Sequence, residues 1–408
     1  MTSRALTVFL ATLFAAGCLS CCSPSSGSRW VGAWSASPAP PESTLSFHDQ
    51  TIRQTVRLSV PGTQLRITLS NLYGTEPLEI GEAHVALSTS GASISSASDH
   101  AVTFAGSASC AIAPGASVTS DAVEMNVSAG SKLAVSLYLP GQVSNPTVHP
   151  IALETTYITS GNHAGDAQLA AASTITSWPF LTSVEVTPAR IGFAIVAFGD
   201  SITDGFASTL NADHRWTDYF SNQLDSKAGV EKAVLNAGLS GNRLLHDAPA
   251  DSLWYGPSAL NRFDRDVLEQ PGVRFVIVLE GINDIGLPGY LAPISEQVGA
   301  AQITGALQEL IQDAHRKGLK VCGGTLTPFE NAAYPGFYSP SKEAERQAVN
   351  QWIRSSNAFD AVIDFDLALR DPSQPGRLLP QYDSGDHFHP NDAGYSATAG
   401  AIDTACSE

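Results

Sequence analysis

The sequence predicts two regions, an all-β sandwich of jelly-roll type followed by an α/β domain with a five-stranded parallel sheet. Up to about residue 189, short alternating apolar runs are separated by turn residues, and no long helical period occurs. From residue 190, short apolar runs alternate with helical patterns, as in parallel sheets that helices cover. We therefore divide the chain into an N-terminal segment 1–28, a β-sandwich accessory domain 29–189 and an α/β domain 190–408.

The amino-acid composition argues against some classes of binding partner. Hydrophobic residues make up 43% of the 408 residues, enough to bury a sizeable core, and only 15% are charged. The formal net charge is −17, and the chain has no basic run. This charge argues against nucleic acid and against an anionic membrane surface as a partner.

The N-terminal segment has the features of an export signal. Arg4 precedes an apolar run, Ala5–Ala16, of about 12 residues, which is too short to span a bilayer but suits a signal peptide. Residues 15–18 are similar to a bacterial lipoprotein cleavage box, in which Cys18 would carry the lipid. Ser23–Ser28 follows as a flexible tether. We expect a secreted or cell-envelope protein, with lipid anchoring and free secretion as alternatives.

Beyond this segment, the cysteines are Cys110, Cys322 and Cys406, whose spacing does not match a metal site. Cys322 lies in an apolar strand pattern, and we expect it to be a buried small hydrophobe. In an oxidising compartment Cys110 and Cys406 could form a bridge, which the sequence does not establish.

The clearest strands of the first region surround one turn. In Thr51–Val60 and again in Leu65–Leu69, apolar and polar residues alternate, with Pro61 and Gly62 between the two runs. This pattern predicts a β-hairpin with one buried face. A further alternating strand is predicted over Leu133–Leu139.

Tryptophans in the first region have two interpretations. Exposed Trp30, Trp34 and Trp178 could stack on sugar rings, which would make the region a carbohydrate-binding module. The alternative is that they pack the sandwich or the interface between the domains, and we favour packing.

The second region reads as alternating strands and helices. The clearest helix is Ile294–Lys317, with apolar residues at three- and four-residue steps, Ser295 as its N-cap and Gly318 at its end. The predicted strands of the parallel sheet are Ile191–Phe198, Ala233–Asn236, Arg274–Glu280, Leu319–Gly323 and Ala361–Asp364.

A serine follows the first of these strands. The apolar run Ile191–Phe198 leads into Gly199, Asp200 and Ser201. Ligands of open α/β sheets bind at the carboxyl ends of the strands, and the free N–H groups of a following helix favour negative charge. Ser201 is therefore a candidate nucleophile, provided that other parts of the chain supply a base, an acid and oxyanion donors.

A base and an acid stand together near the C-terminus. Asp386 and His389 are three residues apart in a loop rich in turn residues, so a short loop can present a carboxylate beside an imidazole. The alternatives are an ordinary polar loop or a metal site built on His387 and His389. Since no third ligand of suitable spacing occurs, we expect neither a metal nor a cofactor.

Oxyanion donors are predicted at the next two strand ends. Gly241 lies in the turn after the second strand, where a glycine lets its backbone N–H approach a substrate. Asn283 follows the third strand and offers a side-chain amide. Strand ends of one parallel sheet meet in space, so we expect both residues near Ser201.

Together these blocks resemble the GDSL family of Ser-Gly-Asn-His (SGNH) hydrolases, in the same order along about half of the chain. The resemblance implies a flavodoxin-like three-layer α/β/α domain. It implies that Ser201 is the nucleophile, that His389 is the general base and that Asp386 orients it. The oxyanion hole would comprise the N–H groups of Ser201 and Gly241 and the side chain of Asn283.

The residues around these blocks receive lesser roles. Asn242 and Arg243 follow the oxyanion glycine, and we expect them to line the substrate cleft. We assign Ser240 no nucleophilic role. Asp200 is expected to structure its turn, and two further acids, Asp204 and Asp284, are expected to brace loops by hydrogen bonds.

The resemblance implies a serine esterase that hydrolyses carboxylic esters. The start of the first region, Trp30 to Ser35, resembles a subgroup of secreted GDSL esterases with an added β-domain, some of which act in plant polysaccharide breakdown. We therefore expect short acyl groups, O-acetyl above all, on polysaccharides or oligosaccharides. A lipase or arylesterase for small acyl esters is the close alternative, and a surface carbohydrate-binding lipoprotein is the alternative from another class.

Overall fold

The computed structural model describes residues 30–224 and 229–408. The predicted export signal, Cys18 and the tether lie outside the described residues. In the described part, an antiparallel β region precedes a parallel α/β domain, which confirms the predicted order. No helix in those two ranges is long and apolar enough to cross a membrane.

The N-terminal region consists of strands and one short 3-10 turn. Its two main sheets are antiparallel, in the orders β1-β18-β4-β10 and β16-β15-β3-β12-β6-β7, and apolar side chains from both sheets belong to one core. The strands are β1 (Val31–Ser35), β2 (Ser46–Phe47), β3 (Gln50–Arg57), β4 (Gly62–Ser70), β5 (Leu78–Ile80), β6 (Glu82–Ser90), β7 (Ser93–Ile94), β8 (His100–Val102), β9 (Cys110–Ile112), β10 (Ser117–Thr119), β11 (Val123–Val127), β12 (Lys132–Leu139), β13 (Val143–Ser144), β14 (Val148–His149), β15 (Thr156–Ser160), β16 (Ser173–Ile175), β17 (Trp178–Pro179) and β18 (Leu181–Thr187).

The predicted hairpin between β3 and β4 is wrong. β3 pairs with β12 and β15, whereas β4 pairs with β18, β10 and β11 in the other sheet. Between them, Leu58 and Val60 are buried where the chain passes from one sheet to the other. Alternation shows which face of a strand is buried, but it does not show which strand lies beside it.

The tryptophans pack, as expected. Trp34 and Trp178 are buried, and the edge of one ring meets the face of the other with centroids 4.9 Å apart. Trp178 Nε1 also donates to the Thr55 carbonyl at 3.1 Å. Trp30 is half-buried beneath the Arg66 guanidinium. Trp34 and Trp178 therefore cannot present free ring faces to a sugar.

The α/β domain has the predicted five-stranded parallel sheet, in the order β20-β19-β21-β22-β23. This is the doubly wound, flavodoxin-like order. Its strands are β19 (Gly192–Gly199), β20 (Glu231–Gly238), β21 (Val273–Leu279), β22 (Lys320–Gly324) and β23 (Ala361–Ile363), and a hairpin of β24 (Arg370–Asp371) and β25 (Gln374–Leu378) follows. The helices are α1 (Ser201–Asp204), α2 (Trp216–Gln223), α3 (Ala259–Phe263), α4 (Ile282–Gly286), α5 (Ala300–Arg316), α6 (Pro340–Ser355), α7 (Phe365–Leu369) and α8 (Asp392–Gly400).

The helix predicted over Ile294–Lys317 begins later in the chain than the periodicity indicates. Ile294–Glu296 forms a separate 3-10 turn, and α5 begins only at Ala300, after Gly299. Ser295 is therefore not its N-cap. The predicted end is confirmed, because Gly318 adopts a φ of +74° just beyond the helix.

The two regions pack closely on each other. Gly32 of β1 lies against β20, where a side chain at position 32 would come within 2.7 Å of Leu235 Cδ1. The Gly32 N–H donates to the Pro271 carbonyl at 3.0 Å, and the Val234 N–H donates to Ser59 Oγ at 3.1 Å. The β region is thus joined to the parallel sheet by hydrogen bonds as well as by apolar contact.

The cysteine prediction is corrected. Cys322 of β22 is bonded to Cys406, and Cys110 is the free thiol of the described chain. The apolar residues around Cys322 in the sequence correctly predict that it is buried. They give no indication that its disulfide partner lies 84 residues later. The bridge ties the C-terminal segment to the sheet.

Cys406→Ser should lower the free energy of unfolding by about 2–4 kcal/mol, because the bridge restricts the unfolded chain over a long loop. Urea unfolding of the oxidised protein measures this loss, with Cys110→Ser as the matched control that leaves the bridge intact. Peptide mapping should recover a linked pair that contains Cys322 and Cys406. A linked pair that contains Cys110 instead would contradict the assignment.

Candidate active site

Ser201 lies at a tight junction between β19 and α1. Asp200 caps the helix, since its Oδ1 accepts the Ile202 N–H at 2.9 Å. Gly199 has no room for a side chain, because a Cβ there would lie 2.3 Å from the Leu279 carbonyl oxygen. Burial raises the pKa of Asp200 to about 7. The junction places Ser201 at the carboxyl edge of the sheet.

Asp386 organises the loop that carries His389. Its Oδ1 accepts the backbone N–H groups of Phe388 at 2.9 Å and His389 at 2.8 Å, an aspartate turn that fixes the loop. Asn391 then caps α8 by accepting the Gly394 N–H at 3.0 Å. A capped helix therefore follows directly and holds the imidazole in place.

Three side chains form a continuous hydrogen-bonded chain. His389 Nε2 lies 2.8 Å from Ser201 Oγ, and His389 Nδ1 lies 2.5 Å from Asp386 Oδ2. Because a carboxylate only accepts, Nδ1 carries the proton and the Nε2 lone pair faces the serine hydroxyl. This arrangement of nucleophile, base and orienting acid is the one that acyl transfer requires.

The surroundings keep Asp386 ionised. Burial alone would raise the pKa of its carboxyl, but the hydrogen bond and charge of His389, with two backbone N–H groups, hold that pKa well below its usual range. The Tyr334 hydroxyl also donates to Asp386 Oδ2 at 3.0 Å. The rings of Phe206 and Phe388 lie 4.5 and 4.4 Å from the imidazole and shield it from water.

His387 contacts a different carboxylate from the one that His389 contacts. Its Nδ1 lies 2.5 Å from Asp383 Oδ2 on the exposed side of the loop. Within the described ranges, no group of three His, Cys, Asp or Glu side chains is arranged to hold a metal ion.

The predicted oxyanion donors converge on Ser201. Gly241 has a φ of +77°, and a Cβ there would lie 2.2 Å from the Tyr255 ring. Asn283 Nδ2 donates one hydrogen to the Asn242 carbonyl at 2.8 Å, which orients the amide. Ser201, Gly241 and Asn283 line the same cleft. In the described chain, the N–H groups of Ser201 and Gly241 have no acceptor and can serve a ligand.

Neighbouring acids brace the loops, as expected. Asp284 accepts the N–H groups of Leu244 at 2.6 Å and Leu245 at 2.9 Å. Asp204 Oδ2 accepts both the N–H and the hydroxyl of Ser240, at 3.1 and 2.6 Å. The Ser240 hydroxyl is thereby held by a carboxylate, and it has no histidine as a hydrogen-bond partner.

Asn242 and Arg243 do not line the cleft, so that expectation is corrected. Asn242 Nδ2 donates to the carbonyls of Tyr255 and Pro257, at 2.8 and 2.7 Å. Arg243 is buried and pairs with Glu296 at 2.5 Å. After the Gly241 turn, both side chains point into the protein and stabilise the loop on the side away from the cleft.

Arg262 is a positioning residue that the sequence did not reveal. It is fully buried, and its Nη2 donates to the Gly199 carbonyl at 2.8 Å. Its Nη1 donates to the Ala237 carbonyl, and its Nε to Asn242 Oδ1, both at 2.8 Å. Arg262 therefore links the turn before Ser201 to the turn that contains Gly241. In the sequence it is one arginine in a short helix, without a distinguishing pattern.

The cleft over Ser201 is apolar and aromatic. Its volume is about 340 Å³, within the range of small-molecule sites. The exposed Glu42 of the β region stands at its rim. About half of its lining residues are aromatic rings that the sequence did not indicate as part of the site, namely Phe206, Trp254, Tyr255, Tyr290, Tyr334, Phe337 and Phe388.

Comparisons with known proteins find a family match and similar solved structures for about half of the chain. Residues 197–397 match the profile of the GDSL-like lipase/acylhydrolase family. Among solved structures, the chain is similar to a lipase/acylhydrolase from Enterococcus faecalis, with 20% identity and a TM-score of 0.39 over 52% of this chain and 93% of that one. It is also similar to an aryl esterase from M. smegmatis, with 17% identity and a TM-score of 0.40 over 51% of this chain and 95% of that one. No curated protein matches the chain.

Asp386→Asn should destabilise the protein more at about pH 6 than at about pH 3. A carboxyl whose pKa is lowered on folding stabilises the folded protein at pH values above its pKa in the unfolded chain, which is about 3.9. This stabilisation is lost as the pH falls toward the lower pKa of the folded state. Urea unfolding at both pH values tests this, with Asp383→Asn as a control for loss of a turn in the same loop. An equal loss of stability at both pH values for Asp386→Asn would contradict the assignment.

Proposed function

We propose that this chain, whose residues 197–397 belong to the GDSL-like lipase/acylhydrolase family, hydrolyses carboxylic esters with Ser201 as nucleophile. The observation that carries the proposal is the hydrogen-bonded chain from Ser201 Oγ through His389 to Asp386. It opens into a cleft that also holds three oxyanion donors.

The proposed reaction has two steps. His389 Nε2 takes the Ser201 proton as Oγ attacks the ester carbonyl, and the tetrahedral intermediate collapses when His389 returns that proton to the leaving alcohol. Water then attacks the acyl-enzyme and gives a proton to His389. The second tetrahedral intermediate collapses when His389 returns that proton to Ser201 Oγ, which releases the acid and regenerates the free serine. Asp386 stays ionised throughout and stabilises the imidazolium.

Charge that develops on the carbonyl oxygen is held by three N–H donors. They are the backbone groups of Ser201 and Gly241 and the second hydrogen of the Asn283 amide. Because the Asn242 carbonyl already fixes Asn283, little reorganisation accompanies the reaction. Such donors are worth most in a cleft that excludes water.

For the substrate, we propose esters that place an apolar or aromatic group in the cleft. The rings of Trp254, Tyr255, Tyr290 and Phe337 give a wall suited to a short acyl chain or an aryl alcohol. This supports a small-ester or arylesterase activity. An acetyl group alone would leave most of the volume of about 340 Å³ for the alcohol side of the ester.

An O-acetylated sugar is the second candidate. Aromatic rings can pack against the apolar face of a sugar ring, and Glu42 at the rim offers a carboxylate to hydroxyl groups. We further propose that the protein is exported, since a disulfide such as Cys322–Cys406 persists mainly in oxidising compartments.

Initial rates on p-nitrophenyl acetate, butyrate and octanoate, beside acetate release from acetylated xylan, separate the two substrates. The apolar cleft predicts a higher kcat/KM for an aryl ester than for the acetylated polymer. Trp254→Ala should raise KM for the aryl esters. Faster acetate release from xylan, together with a loss on Glu42→Gln, would favour the sugar ester.

Ser201→Ala should abolish turnover of p-nitrophenyl acetate, because no other hydroxyl in the cleft has a histidine base. Normal turnover by the alanine variant would mean another nucleophile.

Asn283→Ala should lower kcat by about 10²–10³ with a much smaller change in KM, since the donor acts on charge that forms in the transition state. Steady-state kinetics measure the split. Asn261→Ala, at an exposed position of α3 outside the cleft, is the matched control and should retain activity. A near-normal kcat for Asn283→Ala would remove it from the oxyanion hole.

A further inference from the structure

A second chain of hydrogen bonds reaches the active site from the β region. His149, at the end of β14, extends its ring into the interface with the α/β domain. Its Nε2 lies 2.9 Å from Asp204 Oδ1, and its Nδ1 lies 2.9 Å from the Ser37 carbonyl oxygen. The His149 and Asp204 side chains are only 4% and 3% exposed, so this pair is shielded from solvent.

Both nitrogens of His149 face acceptors. The Ser37 carbonyl can only accept, so Nδ1 carries a proton, and the Asp204 carboxylate requires a second proton at Nε2. Burial opposes a charged imidazole, but the charge and hydrogen bond of Asp204 outweigh it, and the pKa of His149 is raised. The other charged group that faces His149 is Arg215, whose charge acts in the opposite direction.

Asp204 connects His149 to the two turns that carry the chemistry. Asp204 is the last residue of α1, the helix that begins with Ser201. Its second oxygen, Oδ2, accepts the Ser240 N–H and hydroxyl, at 3.1 and 2.6 Å. Ser240 is followed directly by Gly241. The carboxylate therefore spans the nucleophile helix and the oxyanion turn.

The imidazole is held in one orientation. Its ring lies 5.6 Å from the ring of Trp178, whose strand β17 pairs with β14. On the other side, Trp178 meets Trp34 of β1. The Arg215 guanidinium also lies over the Trp178 ring, at 5.5 Å. Packed rings from two strands of the β region thus set where Nε2 points.

We propose that His149 is a positioning residue of the active site, which acts through Asp204 and Ser240 to set the distance between the Gly241 N–H and Ser201. The β region then completes the oxyanion hole and is not a detachable accessory module. This inference rests on the proposed ester hydrolysis. Without His149, Asp204 Oδ1 would be a buried acceptor without a partner, and Asp204 would reorient to satisfy it. That movement would shift Ser240 and Gly241.

The test compares His149→Asn, Ser240→Ala and the double variant with wild type on p-nitrophenyl acetate. The shorter asparagine amide lacks a donor at the position of Nε2. His149→Asn should therefore lower kcat by about 10- to 100-fold and change KM by less than about 3-fold, because the misplaced oxyanion donor acts in the transition state. His84→Asn is the matched control, since His84 pairs with Asp99 and Glu82 within the β region. It should keep the wild-type kcat.

A double-mutant cycle of kcat distinguishes a positioning role of His149 from a general loss of stability. His149 and Ser240 both hydrogen-bond to Asp204, so Ser240→Ala should lower kcat less in the His149→Asn background than in wild type. Thermal unfolding must show each variant folded at the assay temperature, and His149→Leu replaces His149→Asn if the asparagine variant is unfolded.

Normal kcat for a folded His149 variant, or additive losses in the double variant, would overturn the positioning role alone. The Ser201→Ala arm tests the proposed function separately. If wild type showed no Ser201-dependent turnover, the proposed function would fail, and this inference with it.

Discussion

The buried guanidinium of Arg262 holds the active-site edge of the sheet together. It makes five hydrogen bonds, which join the Gly199 and Ala237 carbonyls, Asn242, Asp266 and the Ser37 hydroxyl. Three of these groups, from Gly199, Ala237 and Asn242, precede or follow the turns that carry Ser201 and Gly241, and one belongs to the β region. A buried charge with this many partners tolerates little movement, since removing one partner of a buried ion pair costs about 3–5 kcal/mol. The oxyanion donors are therefore positioned before any substrate arrives.

The β region contributes directly to this edge. Ser37 presents its hydroxyl to Arg262 and its carbonyl to His149, so one residue of the β region contacts both supports of the oxyanion turn. Glu42 of the same region stands at the rim of the cleft. The division into an accessory β domain and an α/β domain describes the secondary structure, but the site itself depends on both.

Local pattern predicted the strands of the parallel sheet and the residues that meet at its edge. Ser201 and Asn283 each follow an apolar strand, and strand ends of a parallel sheet meet, so their proximity followed from topology. Sheet membership of β3 and β4 and the Cys322–Cys406 bridge were not predictable, because they depend on contacts between distant segments. His149 and Arg262 were missed for the same reason: each is a single polar residue whose partners come from other elements. The aromatic wall of the cleft likewise has no spacing along the chain.

Mass spectrometry of the protein after reaction with a fluorophosphonate identifies the nucleophile directly. We expect one adduct per chain, on the peptide that contains Ser201, because His389 activates that hydroxyl and the oxyanion donors stabilise the tetrahedral phosphorus. Adduct formation should be lost in His389→Ala. An adduct on Ser240 or on another residue, or unlabelled protein that still hydrolyses esters, would contradict the assignment of the nucleophile.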